Sequence, residues 1–342
     1  MPPRAFGTQQ VLLGRETVPG TAVPAVIRPM AMTIPPTPTF ESERFSPQGY
    51  TAPTLSIVNQ EWAEADVEGR LTYTDAGLVF ASAIGKPVTD VPTATPVATL
   101  AKRHRFVFDG LTQADPQTYT VEHGDATLAR RFKHGFFNGF DLNIARDALE
   151  FSSAMMGQQV ETGVALTTAG VTVVEPIPIA AGQWDVYVDD TAAAIGTTKF
   201  LDAYEAELAF GERFDPVWPI NSALKSFGGI VEKAADDQEH TGMLNIGASA
   251  SMEGYLDTLR RGEKKFVRLV ATGPTIEGAI KYLMQIDFCC FITETDGYTD
   301  LNSLLVLPFS YQVGRDEAWI PITGGAAGCA LMVTLINTVP AF

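Results

Sequence analysis

The stretch Phe136-Phe137-Asn138-Gly139-Phe140-Asp141-Leu142-Asn143-Ile144-Ala145-Arg146-Asp147-Ala148-Leu149-Glu150-Phe151 sets the fold class. Phe140, Leu142 and Ile144 share one face at a period of two, which marks a half-buried strand. The same alternation runs through Gln117-Thr118-Tyr119-Thr120-Val121-Glu122. Arg105-Phe106-Val107-Phe108-Asp109 is apolar and turns at Gly110, and residues 61–73 carry short, polar-interrupted β segments. Trp184-Asp185-Val186-Tyr187-Val188 is strand-like and ends at Asp189-Asp190. Val171 to Ile179 is apolar but holds Pro176 and Pro178, so it reads as an edge strand or an extended strap. Lys86 to Thr99 contains three prolines and four threonines and reads as a loop.

Helical signals are few. In Ser251 to Arg261, residues Met252, Tyr255, Leu256 and Leu259 form one apolar face. Ser251 suits the cap, and Gly262 suits the left-handed residue that ends a helix. Thr74 to Ile84, followed by Gly85, repeats this grammar with the same internal glycine at Gly77.

That parallel belongs to a longer one. Glu43-Arg44-Phe45-Ser46-Pro47 recurs as Glu212-Arg213-Phe214-Asp215-Pro216, at an offset of 169 residues. Thr74-x-x-Gly77 with Gly85 matches Ser251-x-x-Gly254 with Gly262, Phe106-Val107 matches Phe266-Val267, and Arg146-Asp147 matches Arg315-Asp316. Anchors in one order argue for internal duplication. The expected fold is mainly β, with two tandem β-sandwich or barrel domains, each with one packed α-helix, plus extended N- and C-terminal arms. The expected boundaries are an N-terminal arm at 1–28, a first β domain at 29–160, a connecting strap at 161–199, a second β domain at 200–323 and a C-terminal arm at 324–342.

Composition narrows the function classes. The chain has 342 residues, 46% of them hydrophobic, and a formal net charge of −16 from 24 basic and 40 acidic residues. That balance argues against a nucleic-acid binder, which would show a basic patch. No run approaches the ~20 apolar residues of a membrane helix. Met1-Pro2-Pro3-Arg4 opens no apolar signal segment, so synthesis in a cytoplasm is expected. Cys289 and Cys290 should point to opposite faces of a strand; with Cys329 they form no disulfide framework and no metal spacing.

The search for chemistry finds no catalytic, cofactor-binding or metal site. His104, His123, His134 and His240 show no metal spacing, and His123 lies in the turn-like Glu122-His123-Gly124-Asp125. There is no Gly-x-Ser-x-Gly elbow and no phosphate loop. Gly324-Gly325-Ala326-Ala327-Gly328 reads as a hinge, and Asp236-Asp237-Gln238-Glu239 as a solvated loop tip. Asp189-Asp190 and Asp296-Gly297 read as turns, and Arg130-Arg131 and Lys264-Lys265 as solvated or ion-paired basic residues. An empty catalytic inventory in a large β-rich chain suggests a building block. Two rivals stay open: a tandem β-sandwich receptor-binding or adhesion protein of a virion, and a glycan hydrolase using scattered carboxylates.

Val11-Leu12-Leu13-Gly14-Arg15-Glu16-Thr17-Val18-Pro19-Gly20-Thr21-Ala22-Val23-Pro24-Ala25 resembles the opening of major tail tube proteins of long-tailed, non-contractile bacteriophages. The resemblance continues in Val67-Glu68-Gly69-Arg70-Leu71-Thr72-Tyr73-Thr74-Asp75-Ala76-Gly77, in Asp185-Val186-Tyr187-Val188-Asp189 with Ile195-Gly196, and in Gly273-Pro274-Thr275-Ile276. It implies a structural virion protein without enzymatic activity, whose rings stack into the tube that conducts DNA into the host. It implies self-association into homo-oligomeric rings, trimers with pseudo-sixfold symmetry if the chain is duplicated. Tape measure, terminator and tip proteins are the further partners implied, with no membrane partner. The long loops and both terminal arms would then supply contacts between rings.

Overall fold

In a computed structural model, the structure describes residues 9–93, 98–125, 127–146, 149–221, 225–234, 238–247, 257–258, 260–295, 297–301, 303–322 and 328–342. The strands begin with β1 (Gln10–Arg15), β2 (Ile27–Pro29), β3 (Met32–Thr33), β4 (Thr37–Phe45) and β5 (Leu55–Gly69), and the helix α1 (Ala76–Ala83) follows. Next come β6 (Val88–Asp90), β7 (Lys102–Phe108), β8 (Tyr119–Gly124), β9 (Ala129–Phe137), β10 (Phe140–Ala145), β11 (Leu149–Gly157), β12 (Glu161–Val164) and β13 (Thr172–Val174). Then come β14 (Trp184–Asp189), β15 (Lys199–Phe200), β16 (Ala203–Phe210), β17 (Phe214–Val217), β18 (Gly229–Glu232) and β19 (His240–Gly247). The last are β20 (Lys264–Glu277), β21 (Ile280–Thr295), β22 (Thr299–Leu301), β23 (Leu304–Val313) and β24 (Leu331–Asn337). The chain is mainly β.

Two antiparallel layers carry the core. One runs β5–β11–β10–β16–β19–β23. The other runs β7–β24–β21–β20–β14, with β6 and β15 at its edges. The long strand β21 joins them: Leu283 to Phe288 pair with β24, and Cys290 to Thr295 pair with β23. A smaller group, β2–β1–β8–β9–β12, flanks the sandwich, and β13 adds to β2 in parallel. The proline-bearing strap thus pairs as the edge strand its sequence allows.

The two layers meet on aromatic residues. Phe80 of α1 makes edge contacts with Phe106 of one layer and with Phe140 and Phe151 of the other, at centroid distances of 5.8, 5.0 and 6.3 Å. All eight helix residues are buried, and a helix apolar on every side but for Ser82, whose hydroxyl accepts from Phe137 N at 2.8 Å, belongs inside a core rather than on it. Its cap is Asp75, without a side-chain capping bond, rather than Thr74. Thr74 Oγ1 instead donates to Glu175 O at 2.8 Å, tying the helix start to the strap. Cys289 and Cys290 do face opposite sides, each in a different apolar cluster, and all three cysteines are free and buried.

Several expectations need correction. The C-terminal segment is not an arm. β24 lies between β21 and β7, Leu331, Val333 and Leu335 are fully buried, and Phe342 packs beside His104 and Phe106. A run apolar on both faces has no reason to stay outside the monomer core. Within the N-terminal segment, β1 pairs with β8 and buries Leu12 and Leu13, so it too is part of the fold. The two Glu-Arg-Phe phrases are not equivalent in space. Phe45 is 42% exposed near a hairpin tip, whereas Phe214 is 1% exposed in a cluster with Phe136 and Phe227. Of the second helix, Met252, Tyr255, Leu256 and Leu259 lie outside the described residues; Asp257, Thr258, Arg260 and Arg261 are helical, and Gly262 has φ 61°, the left-handed ending expected. In both halves, however, the strand before the helical segment (β5 or β19) lies in the first layer, and the strand after it (β7 or β20) lies in the second.

Candidate functional site

Lys and Arg are unevenly divided between the two layers. The strands β5, β10, β11, β16, β19 and β23 contain Glu61, Glu64, Asp66, Glu68, Asp141, Glu150, Glu205 and Glu207, and not one Lys or Arg. The opposite layer carries Lys102, Arg103 and Arg105 on β7, Lys264, Lys265 and Arg268 on β20, and Lys281 on β21.

Strand alternation gathers Glu64, Asp66, Asp141, Glu150, Glu205 and Glu207 on one face. Ala63, Ala65 and Val67 point into the core, which leaves Glu64 and Asp66 exposed between them. Phe140, Leu142 and Ile144 are buried, leaving Asp141 exposed and Asn143 half-buried. Ala206, Leu208 and Phe210 are buried, which turns Glu205 and Glu207 outward. The register aligns these positions across the sheet. Ser152 stands beside Asp141, Asp141 beside Ala209 and Ala209 beside Thr241. Asn143 stands beside both Glu150 and Glu207.

Hydrogen bonds hold the centre of this face. Asn245 Nδ2 donates to Glu205 Oε2 at 2.7 Å, and Asn143 Nδ2 donates to Glu207 Oε1 at 3.3 Å. Partial burial raises the Glu207 carboxyl above its ordinary range, and neighbouring Glu205 raises it further. Burial also raises Asp141. The face can repel anions and offers no counter-charge to hold them.

A second feature stands at the edge of this layer. Beyond Ala63, β4 is the one strand that pairs with β5 among the described residues, apart from a backbone bond from Glu61 N to Lys225 O at 3.0 Å. The resulting hairpin arm is exposed along nearly its whole length and carries Phe40, Phe45, Tyr50, Leu55, Ile57 and Val58 at 38–65% exposure. Its base is braced: Trp62 donates to Glu64 Oε1 at 2.7 Å and lies edge-on to Trp218.

The family model described as phage tail tube protein matches residues 8–210, more than half of the chain. This chain belongs to the phage tail tube protein family. No curated protein matches it. As a tail tube protein it is a structural component of the virion tail that associates with copies of itself.

The residues weighed for chemistry take structural places in this tail tube protein. His104 is buried, with Nδ1 against Thr89 Oγ1 and Nε2 against Val339 O, both at 2.9 Å. His123 is half-buried on β8, and His134 is buried at φ 55° beside Phe227. His240 stacks on Phe210 at 4.0 Å with neither ring nitrogen hydrogen-bonded. Asp189 is no loose turn residue, because its carboxylate accepts from the backbone N–H of Gly196, Thr197 and Thr198. Lys264 pairs with Asp316 and Lys265 with Asp190, while Arg131 pairs with Glu161. Asp236, Asp237, Asp296 and the segment 324–327 lie outside the described residues. Among the described residues no group of three or more His, Cys, Asp and Glu could hold a metal ion, and no helix is long and apolar enough to cross a membrane.

The motif search missed the acidic face. Its signal was the absence of Lys and Arg from particular strands, which becomes visible only when the strand order is known.

Proposed function

We propose that three copies of this chain close a ring with pseudo-sixfold character, that rings stack into the tail tube, and that the acidic face lines the lumen through which DNA passes. The observation that carries this reading is the six-stranded layer without Lys or Arg. A conduit for DNA must not retain what moves through it. Lumenal carboxylates repel phosphates over a Debye length of ~8 Å and give them no cation to exchange for. No enzymatic step is required of the chain.

Barrel geometry favours three copies over six. Strands ~4.8 Å apart and tilted ~40° close at a backbone radius of ~18 Å for about 18 strands and ~24 Å for about 24. Three copies supply such a barrel: six strands each, or eight when β4 and β22 flank the layer. Six copies would double the radius, far beyond what a duplex needs. Each half of the chain contributes three strands to the layer (β5, β10 and β11, then β16, β19 and β23), which supports two tube-like units per chain.

Closure also needs free edges. Among the described residues β4 pairs only with β5, and the three-residue β22 only with β23, whose remaining length on that side is paired with β21, so each copy offers an open edge along β4 and a short one along β22. Head-to-tail pairing of such edges closes a ring and removes an aggregation hazard. A tape measure protein in the lumen, with terminator and tip proteins at the tube ends, completes the partners of this reading. Electron cryo-microscopy of the concentrated protein tests it. Three chains per ring with Glu205 and Glu207 facing the lumen is the expected result. Six chains per ring, or a lumen lined by the β7–β24–β21–β20 layer, would refute it.

A further inference from the structure

The β4–β5 arm leaves the layer as a ribbon of two strands. Residues 40–59 are exposed throughout, so its burial is confined to the base. A two-stranded ribbon is marginally stable by itself and twists more strongly than a sheet. Its direction therefore depends on what touches the base.

The base meets the excursion between β16 and β19, which contains the hairpin β17–β18. Glu61 N donates to Lys225 O at 3.0 Å, and the Trp62 ring meets Trp218 edge-on at a centroid distance of 5.6 Å. The Trp62 ring is itself fixed. Its Nε1 donates to Glu64 Oε1 at 2.7 Å, and Oε2 of the same carboxylate accepts from Thr39 Oγ1 of β4 at 3.2 Å. One carboxylate thus orients the ring and ties the two strands of the ribbon together.

The excursion is anchored in turn. Trp218 lies edge-on to Phe227 at 5.9 Å, and Phe227 edge-on to Phe136 of β9 at 6.1 Å. Asn138 Oδ1 accepts from Arg213 N and Phe214 N at 3.0 and 2.7 Å, while its Nδ2 donates to Phe214 O at 2.9 Å. Gln158 Nε2 donates to Phe227 O at 2.7 Å. Both flanks of the half-buried Trp218 are therefore held to the body.

We propose that this excursion is a brace that presets the arm in the free chain, with Trp218 as the residue that holds Trp62. The opposite behaviour would be an arm that swings about Ala63 and takes its direction only on meeting a partner. Four rings in succession, Trp62, Trp218, Phe227 and Phe136, link the arm to β9, and the Glu61 backbone bond beside them restrains rotation of the base. A preset arm loses less conformational freedom on docking, whatever it meets.

Double electron–electron resonance on the free chain tests the brace. Spin labels go on Glu43→Cys in the arm and on Leu128→Cys at the start of β9, both exposed positions, and the three natural cysteines are buried. One narrow distance distribution is expected in this labelled parent. Trp218→Ala should widen it about twofold, as a two-stranded ribbon released at its base would, with the circular dichroism spectrum unchanged. Trp218→Phe should restore the narrow distribution. A broad distribution in the labelled parent, or one in Trp218→Ala as narrow as in the parent, overturns the proposal. If Trp218→Ala does not fold, Trp62→Ala breaks the same contact from the arm side, and an unwidened distribution there is equally fatal. None of these outcomes bears on the number of chains per ring, so failure here leaves that reading standing.

Discussion

Arg213 and Arg44 hold the same place in a repeated phrase and meet opposite environments. Arg44 is exposed on the arm, but Arg213 is 2% exposed. Its guanidinium donates to Glu232 at 2.7 Å and to Ile84 O at 2.5 Å, and lies 4.5 Å from the centre of the Phe108 ring. Burial lowers the Arg213 pKa, and the Glu232 carboxylate acts against that shift. Glu232→Gln keeps the shape and removes the counter-charge, so it should cost about 3–5 kcal/mol, read as a lower urea midpoint. Arg44→Gln should leave the monomer midpoint unchanged within about 0.5 kcal/mol. His240 gives a pH dependence. Burial pushes its pKa from 6.5 down to about 4, so the unfolded chain takes the proton first. Its contribution to stability is complete above 6.5 and falls as pH drops through about 4. His240→Phe should flatten that part of the stability profile between those two values; an unchanged acid limb would show that His240 is not its source.

At the scale of elements, α1 and β24 depend on each other. A Cβ on Gly77 would overlap the ring of Phe342, so the helix approaches the chain terminus only because residue 77 has no side chain. Gly77→Ala should therefore destabilise the fold despite its better helix propensity, and Phe342→Ala in the same chain should recover much of the loss. Removing residues 331–342 takes out a strand between β7 and β21, and should yield insoluble or unfolded protein by circular dichroism rather than a folded, assembly-deficient monomer. The alternating strands β8 and β10 were legible in the sequence because one face of each meets solvent or polar neighbours. β24 was not, since Leu331-Met332-Val333-Thr334-Leu335-Ile336 is apolar on both faces. Its outer face is covered by a second cluster of Met332, Cys329, Cys289, Phe266 and Trp319. Period alone cannot tell such a central strand from an apolar tail. The acidic face was hidden for a related reason. Asp141 and Glu207 are far apart in the chain and come onto adjacent strands of one face only through the β10–β16 pairing.

On the scale of the whole molecule, the net charge of −16 matters less than where the cations are absent. A uniformly acidic surface serves solubility, but here the six strands of the acidic layer carry no Lys or Arg, while β7, β20 and β21 of the opposite layer carry seven. If that face lines the tube, reversing part of it changes passage without changing assembly. Glu205 and Glu207 are suitable positions because both point away from the core and neither pairs with a cation in the described structure. The double variant Glu205→Lys with Glu207→Lys turns two lumenal negative charges per copy into positive ones. Tubes of the variant should form with unaltered symmetry, and at low salt they should retain duplex DNA that the unaltered tubes release. Retention should weaken steeply as salt rises, because each neutralised phosphate frees a counterion. Fluorescent duplexes eluted from immobilised tubes across a salt series give the measurement. Equal release from both tubes at every salt concentration would mean that this face does not meet the DNA.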